Sequence, residues 1–208
     1  MAGMHADDTA PVGVVLAGGL SARLGSDKRG VHLFGEGEPD LLNRCAALLK
    51  DVVGEVWISV RDCRPNANGY FWLCDEEEGL GPLGGIMTAL RVAQGPVLVL
   101  SCDLPFMDRS MLERLLAART QRQPDSLMTT FVQEDTGYIE ALVAIYEFGA
   151  LEWFRKAADR GVYKVSRVVP QELQHRVSYS REESLPFFNV NYPADLEMAR
   201  RVIRALTV

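Results

Sequence analysis

The feature that most limits the fold of this chain is an alternation of short apolar runs with segments of helical spacing. The runs Val12–Leu16 and Pro96–Leu100 are apolar without interruption, as expected of strands buried on both faces. Strand–helix–strand alternation implies right-handed crossovers, which place helices on both faces of a mainly parallel sheet. We therefore predict an α/β protein with a three-layer, Rossmann-like fold and a mainly parallel central sheet.

The other predicted elements follow from periodicity and from capping residues. The first two-thirds of the chain contains further strands at 55–60 and 70–74 and helices at 41–49, 82–93 and 109–119, two of which Asp40 and Asp108 would cap. The last third contains strands at 127–132, 138–146 and 176–179 and helices at 147–160 and 193–206. The strands of this last third form a smaller antiparallel element. We expect residues 1–11 to be a disordered tail and residues 12–208 to be a single domain.

Composition excludes several classes of function. The formal net charge of −6 argues against a protein that binds nucleic acid through a basic surface. No apolar run approaches the roughly 20 residues of a membrane span, and residues 1–11 lack the features of a signal peptide. We expect a cytoplasmic protein without nucleic-acid or membrane partners. The four cysteines lack zinc-site spacing and are expected to be reduced, buried thiols.

A glycine-rich segment with two cations follows the first predicted strand. Gly18 and Gly19 would allow the backbone to approach a ligand and to present N–H groups to it. Arg23 offers a planar fork to phosphate oxygens, and Lys28 offers a compact charge. Together they predict a cradle for a polyphosphate, although neither the Walker A motif nor the dinucleotide fingerprint fits. The alternative is an ordinary strand-to-helix turn with solvated cations.

Two further segments lie where strands of the predicted sheet end, which is where ligands bind on such sheets. Asp103, in 101-SCDLPF-106, is placed to hold Mg²⁺, which takes one or two carboxylates and completes its shell with water and phosphate oxygens. The alternative is that Asp103 only caps a turn. Asp75, before 79-GLGPLGGI-86, is placed to accept the N–H donors of guanine, with Gly81 and Gly84 allowing the backbone to approach the base. The alternative is a solvated acidic loop.

The segment 187-FFNVNYPADLE-197 contains two asparagines separated by one valine. In a strand Asn189 and Asn191 would point to the same face, where they could hydrogen-bond a ligand or a water molecule near the metal. Asp195 is interpreted instead as an acid in the first turn of the last helix, where the helix dipole favours it.

Four segments together resemble the molybdenum cofactor guanylyltransferase family of the nucleotidyltransferase superfamily. The segment 16-LAGGLSARLGSDK-28 is similar to the family signature, with Leu24 in place of a methionine. The segments 81-GPLGGI-86 and 101-SCDLPF-106 are similar to the next two motifs. The segment 187-FFNVNYPADL-196 is similar to the last motif, with Tyr192 in place of a threonine.

The resemblance implies that GMP is transferred from GTP to the phosphate of molybdopterin, with or without molybdenum, and that pyrophosphate is released. It implies that Mg²⁺ is held by Asp103 and that Arg23, Lys28 and Asp103 are the catalytic residues. It also implies a nucleotide site, with Lys28 at the phosphates, and the residues of that site are Leu16, Ala17, Gly18, Gly19, Lys28, Arg61, Asp75, Gly81, Gly84, Asp103, Asn189 and Asn191.

Arg61 stands where the family often has an asparagine, and Lys164 and Arg167 are candidates for the pterin phosphate. A molybdoenzyme-specific chaperone is a further candidate partner. Two alternatives remain open at this point: a related nucleotidyltransferase that uses CTP or a sugar phosphate, and a nucleotide-binding protein without catalytic turnover.

Overall fold

The computed structural model describes residues 9–18, 31–35, 37–61, 69–77 and 79–206. Seven strands are present: β1 (Val12–Leu16), β2 (Val56–Val60), β3 (Phe71–Cys74), β4 (Val97–Ser101), β5 (Met128–Gln133), β6 (Ile139–Tyr146) and β7 (Gln174–Tyr179). Five α-helices accompany them: α1 (Leu41–Val53), α2 (Pro82–Ala93), α3 (Arg109–Arg119), α4 (Ala150–Asp159) and α5 (Pro193–Leu206). Asp40 and Asp108 cap α1 and α3 by accepting from backbone N–H groups, as predicted.

The strands form one seven-stranded sheet in the order β3-β2-β1-β4-β6-β5-β7. The four strands β3, β2, β1 and β4 are parallel. The next strand, β6, is antiparallel to both of its neighbours, and β7 runs parallel to β5. The predicted mainly parallel sheet with an antiparallel part in the last third is therefore confirmed, and the antiparallel part is an extension of the same sheet.

Two apolar layers cover the two faces of this sheet. Alternate residues of β1 belong to opposite layers: Val14 packs with α2 and α4, and Val15 packs with α1 and α3. Because consecutive strand residues point to opposite faces, a strand that is apolar at every position fits a sheet with helices on both sides. The predicted three-layer arrangement is confirmed.

Three details differ from expectation. The segment around Asn189 and Asn191 is not a strand: a 3₁₀ turn at Leu185–Phe187 precedes it and α5 follows. The helix predicted at 147–160 spans only Ala150–Asp159. The backbone N–H of Glu147 still donates to the carbonyl of Leu127 at 3.0 Å, so the chain leaves the sheet only after this residue. Cys74 is disulfide-bonded, so the expectation of reduced thiols is wrong for this residue. Cys45 and Cys102 are buried and are not in disulfide bonds.

Within the described ranges, no helix is both long and apolar enough to cross a membrane.

Candidate active site

The candidate site lies at the edge of the sheet where four neighbouring parallel strands end. The last residues of β3, β2, β1 and β4 are Cys74, Val60, Leu16 and Ser101. Asp75 follows the first of these strands directly, Gly18 lies two residues beyond β1, and Asp103 lies two residues beyond β4. Since parallel strands end at a common edge, the sheet brings together groups that are far apart in sequence.

Asp75 is held in a fixed, half-buried position at this edge. Its backbone N–H donates to the carbonyl of Val60 at 2.9 Å, and its Oδ1 accepts from the hydroxyl of Ser59 at 2.9 Å. Burial raises the pKa of the Asp75 carboxyl, and the Ser59 hydrogen bond and the charge of Arg61 act in the opposite direction. The site therefore presents a partly desolvated acceptor, which gains more from a ligand N–H than a fully hydrated carboxylate does.

Two residues that support Asp75 were not among the predicted site residues. Ser59 is 2% exposed and supplies the hydrogen bond just described. Gly85 packs against this pair, because an added Cβ would collide with Ser59 Oγ and would lie 3.2 Å from Asp75 Oδ1. One signal was visible in the sequence: Ser59 is the single polar residue in the otherwise apolar run 56-VWISV-60.

Gly18 lies where the ends of β1 and β2 meet the carboxylate of Asp75. A Cβ at Gly18 would lie 3.3 Å from Arg61 Cγ and 3.7 Å from Asp75 Oδ2, so a side chain here would crowd the site. The neighbouring N–H of Ala17 donates to the carbonyl of Ser59 at 2.9 Å. The carbonyl of Leu16 accepts from Cys102 at 3.3 Å. Because the N–H of Ala17 already has a partner, a backbone hydrogen bond between Ala17 and a nucleotide would use the carbonyl oxygen of Ala17.

The two predicted glycines at the start of α2 differ in position. Gly81 precedes α2 with φ of 59°, a left-handed conformation that favours glycine. Gly84 faces away from Asp75: a Cβ there would lie 3.2 Å from Leu80 Cβ and 3.3 Å from the carbonyl of Glu77. Gly85 rather than Gly84 is the glycine that packs against Asp75.

Asp103 and Asn189 form the second part of the site. Asp103 Oδ1 accepts from the hydroxyl of Ser101 at 2.6 Å. The best hydrogen-bonding orientation of the Asn189 amide donates to Asp103 Oδ1 and Oδ2 at 2.6 and 3.1 Å. The backbone fixes this pairing, because the N–H of Val190 donates to the carbonyl of Asp103 at 2.9 Å. Val190 is itself fully buried against α1 and α5.

Asn191 is placed by the start of α5. Asp195 Oδ2 accepts from the backbone N–H groups of Asn191 and Tyr192 at 2.9 and 2.8 Å. The interpretation of Asp195 as an acid in the first turn of the last helix is confirmed.

A cavity of about 230 Å³ opens beside Asp103. It lies between the start of β6, the start of α2 and the chain around Val165. Its polar lining includes Ser101, Glu140, Lys164 and Asn189. Arg167, by contrast, lines a different cavity, together with Trp153 and Lys156. Of the two cations considered for the pterin phosphate, only Lys164 borders the site.

The predicted site residues Gly19, Arg23 and Lys28 lie outside the described residues. Their roles therefore remain predictions from the sequence.

Comparison with known proteins identifies the family. The model of the MobA-like NTP transferase domain matches residues 13–177, which run from the second residue of β1 into β7. The chain belongs to this family. As a MobA-like NTP transferase it is a nucleotidyltransferase, and the edge that carries Asp75 and Asp103 is its candidate active site.

Individual proteins similar to this MobA-like NTP transferase have names from molybdenum cofactor biosynthesis. A probable molybdenum cofactor guanylyltransferase of Chloroflexus aggregans is 30% identical over 198 residues, which cover 90% of this chain and 92% of the relative. The molybdenum cofactor guanylyltransferase of Xanthomonas euvesicatoria pv. vesicatoria is 33% identical over 187 residues, 87% of this chain and 89% of the relative. The crystal structure of molybdopterin-guanine dinucleotide biosynthesis protein A from Archaeoglobus fulgidus matches with a TM-score of 0.71 and 25% identity, over 93% of this chain and 98% of that one.

Proposed function

We propose that the chain transfers GMP from GTP to the phosphate of molybdopterin, with or without molybdenum, and releases pyrophosphate. The observation that carries the proposal is the placement of two separate acceptor groups along one sheet edge. Asp75 lies at one end, beside a glycine that leaves room for a ligand. Asp103 and Asn189 lie at the other end, beside a cavity. The names of the relatives support the choice of guanosine and molybdopterin.

In this proposal Asp75 accepts hydrogen bonds from the base. The Watson–Crick edge of guanine carries two adjacent donors, the ring N–H and the amino group, and a carboxylate can accept both. The hydrogen bond from Ser59 fixes the rotation of the Asp75 carboxyl, so its remaining acceptor positions are oriented before the base arrives. Cytosine presents two acceptors and one amino group on its Watson–Crick edge, so it would leave this half-buried carboxylate poorly satisfied.

The triphosphate would lie along the segment that follows β1. The backbone at Gly18 and Gly19 would approach the phosphates, and Arg23 and Lys28 would neutralise their charge. These assignments rest on the residue types and their spacing in the sequence.

The transfer itself needs positioning and charge neutralisation rather than a nucleophilic side chain. An ionised oxygen of the molybdopterin phosphate attacks the α-phosphorus of GTP. The new phosphorus–oxygen bond forms as the bond between the α-phosphorus and the bridging oxygen breaks, and that electron pair leaves with pyrophosphate. Because the attacking oxygen is already ionised, no general base is required.

Mg²⁺ is part of the proposal, with Asp103 and Asn189 as the residues that would hold it. In its best hydrogen-bonding orientation, the amide nitrogen of Asn189 lies within 3.1 Å of both carboxylate oxygens of Asp103. Rotating this amide by half a turn exchanges its nitrogen and oxygen, which would place the amide oxygen beside the carboxylate. Two hard oxygen donors at one point suit Mg²⁺. Within the described residues, no three acidic, histidine or cysteine side chains are grouped so that they could hold a metal ion. Phosphate and water would therefore complete the shell of an ion at Asp103. The ion would offset negative charge on the phosphates.

The test is pyrophosphate release from the purified protein with Mg²⁺, molybdopterin and, in turn, GTP, CTP, ATP and UTP. We expect release with GTP alone. Asp103→Asn should keep the fold and lower turnover by roughly 10³-fold, because the carboxylate charge is lost. Asp125→Asn, at an exposed surface position, is the matched control and should match the wild type. Release with CTP would overturn the base assignment, and full activity of Asp103→Asn would overturn the metal assignment.

A further inference from the structure

The cavity beside Asp103 is lined in part by Glu140, a residue to which the proposed function assigns no role. Leu100 of β4 pairs with Val143 of β6 in antiparallel register. Asp103 lies three residues after Leu100, and Glu140 lies three residues before Val143. Because the two strands are antiparallel, both residues lie at the same edge of the sheet. Glu140 and Asn189 both line the cavity, so Glu140 faces the same space as the Asp103 end of the site.

One oxygen of Glu140 is fixed from behind by a buried aromatic cluster. The hydroxyl of Tyr179, a residue that is 3% exposed, donates to Glu140 Oε1 at 2.6 Å. Tyr179 packs on Phe187 with ring centroids 4.3 Å apart and on Phe131 at 6.4 Å. Among the described residues, Tyr179 is the side chain that hydrogen-bonds Glu140. Oε2 and the second acceptor position of Oε1 therefore remain for a ligand in the cavity.

Burial raises the pKa of the Glu140 carboxyl, and the Tyr179 hydrogen bond only partly offsets this effect. The environment therefore penalises the ionised form, and a ligand that donates N–H groups would relieve this penalty. Asp75 at the other end of the site has the same combination, with one hydroxyl partner and partial burial.

The rest of the cavity lining suits a flat ring that carries a phosphate. Tyr138 and Tyr163 line the cavity and are 54% and 50% exposed, and exposed aromatic faces of this kind stack on planar heterocycles. Lys164, also exposed and also in the lining, supplies one positive charge. An aromatic surface, a cation and an anchored carboxylate thus border one space.

We propose that Glu140 recognises the pterin ring of the acceptor by accepting hydrogen bonds from its N3–H and 2-amino groups. The inference rests on the proposed function, because that function is what makes the acceptor a phosphorylated pterin. The edge of a pterin that carries these donors has the same donor pair as guanine, and a carboxylate complements it in the same way. Glu140 is thus a specificity-determining residue on the acceptor side, and Asp75 has the corresponding task on the nucleotide side.

This role makes a sharp prediction about the group at position 2 of the ring. A lumazine has an oxo group where a pterin has the amino group. A carboxylate accepts two hydrogen bonds from the pterin but meets an unfavourable oxygen in the lumazine. A glutamine amide accepts from N3–H and donates to the oxo group, so it complements the lumazine instead.

The experiment is fluorescence titration of the purified protein with neopterin monophosphate and with the lumazine of the same side chain. We expect the wild type to prefer the pterin by roughly 10- to 100-fold, the range for a two-point hydrogen-bonded contact. Glu140→Gln should reverse that preference. Tyr179→Phe removes the hydroxyl that holds Oε1 but leaves the carboxylate, so the pterin preference should weaken without reversing. Glu172→Gln, at an exposed position, is the matched control and should bind both probes as the wild type does.

Several outcomes would overturn the inference. These are no binding of either probe to the wild type, equal binding of both probes, or an unchanged pterin preference in Glu140→Gln. If Tyr179→Phe matched Glu140→Gln, the carboxylate would serve only to hold the tyrosine. A guanine nucleotide has the same donor pair, so GTP titration is included, and two GTP molecules per chain would assign the cavity to a nucleotide instead.

Failure of the inference can be distinguished from failure of the proposed function. A clear pterin preference without pyrophosphate release from GTP and molybdopterin would contradict the function and support the pterin site. Pyrophosphate release with GTP, together with an unchanged preference in Glu140→Gln, would support the function and contradict the role of Glu140.

Discussion

At the scale of single residues, the base preference of the enzyme should depend on the charge of Asp75. Asp75→Asn keeps the shape of the side chain and its contact with Ser59 but replaces one acceptor by a donor. Guanine then meets a mismatched partner, whereas xanthine, with an oxo group in place of the amino group, is complementary. We expect GTP to lose roughly 100-fold in kcat/KM and XTP to gain relative to GTP.

The measurement is pyrophosphate release with GTP and XTP at saturating acceptor. Glu77→Gln is the control, since Glu77 is an exposed acid two residues away and should leave the GTP/XTP ratio unchanged. An Asp75→Asn enzyme with the wild-type ratio would show that another group recognises the base.

The sequence could indicate where the candidate carboxylates lie but not which residues support them. Asp75 and Asp103 were singled out because they follow predicted strands at the edge where ligands bind on such sheets, and their proposed roles came from the family resemblance. The packing of Gly85 on Ser59 was missed because it joins the last residues of β2 to the first turn of α2. Contacts between distant segments have no periodicity, and within 81-GPLGGI-86 nothing distinguishes Gly84 from Gly85 without the helix orientation.

At the scale of elements, a buried ion pair links the end of α3 to the end of β6. Glu147 is 1% exposed, and its two oxygens accept from Arg119 Nε and Nη2 at 2.7 and 2.9 Å. Arg122 Nε lies 3.1 Å from the same carboxylate. Glu147→Gln would leave these guanidinium groups without a buried counter-charge, so we expect unfolding free energy to fall by about 3–5 kcal/mol.

Urea denaturation followed by circular dichroism would measure this loss. Glu113→Gln is the control, because Glu113 pairs with Arg109 on the exposed surface of α3 and such pairs contribute about 0.5 kcal/mol or less. Equal midpoints for the two variants would mean that the burial of Glu147 contributes nothing to stability.

Element boundaries were predictable where local signals and burial agree. Strand β1 and helices α2, α3 and α5 begin and end at the predicted residues, because apolar runs and capping residues act within a few positions. Asn189 and Asn191 were expected in a strand because their spacing alternates. The structure instead fixes this segment by the buried side chain of Val190 and by one backbone hydrogen bond to Asp103, neither of which alternation encodes.

At the scale of the whole molecule, the sheet separates the two proposed recognition groups. Asp75 follows β3 and Glu140 lies in β6, with β2, β1 and β4 between them. Four inter-strand steps correspond to roughly 19 Å, which leaves the centre of the edge, where β1 and β4 end, for the phosphates. A nucleotide and a pterin would then enter from opposite ends and meet beside Asp103.

This separation predicts that substitutions at Asp75 and at Glu140 affect ligand binding independently of each other. Variants more than about 10 Å apart without shared partners combine additively, within about 0.5 kcal/mol. The double variant Asp75→Asn/Glu140→Gln should therefore combine the base preference of one single variant with the ring preference of the other, within about 2-fold in each dissociation constant. Ser59→Ala combined with Asp75→Asn is the contrast, because those residues are hydrogen-bonded and should couple. Strong coupling between Asp75 and Glu140 would instead mean that one ligand touches both carboxylates, a result that would place the base and the pterin ring at the same end of the edge.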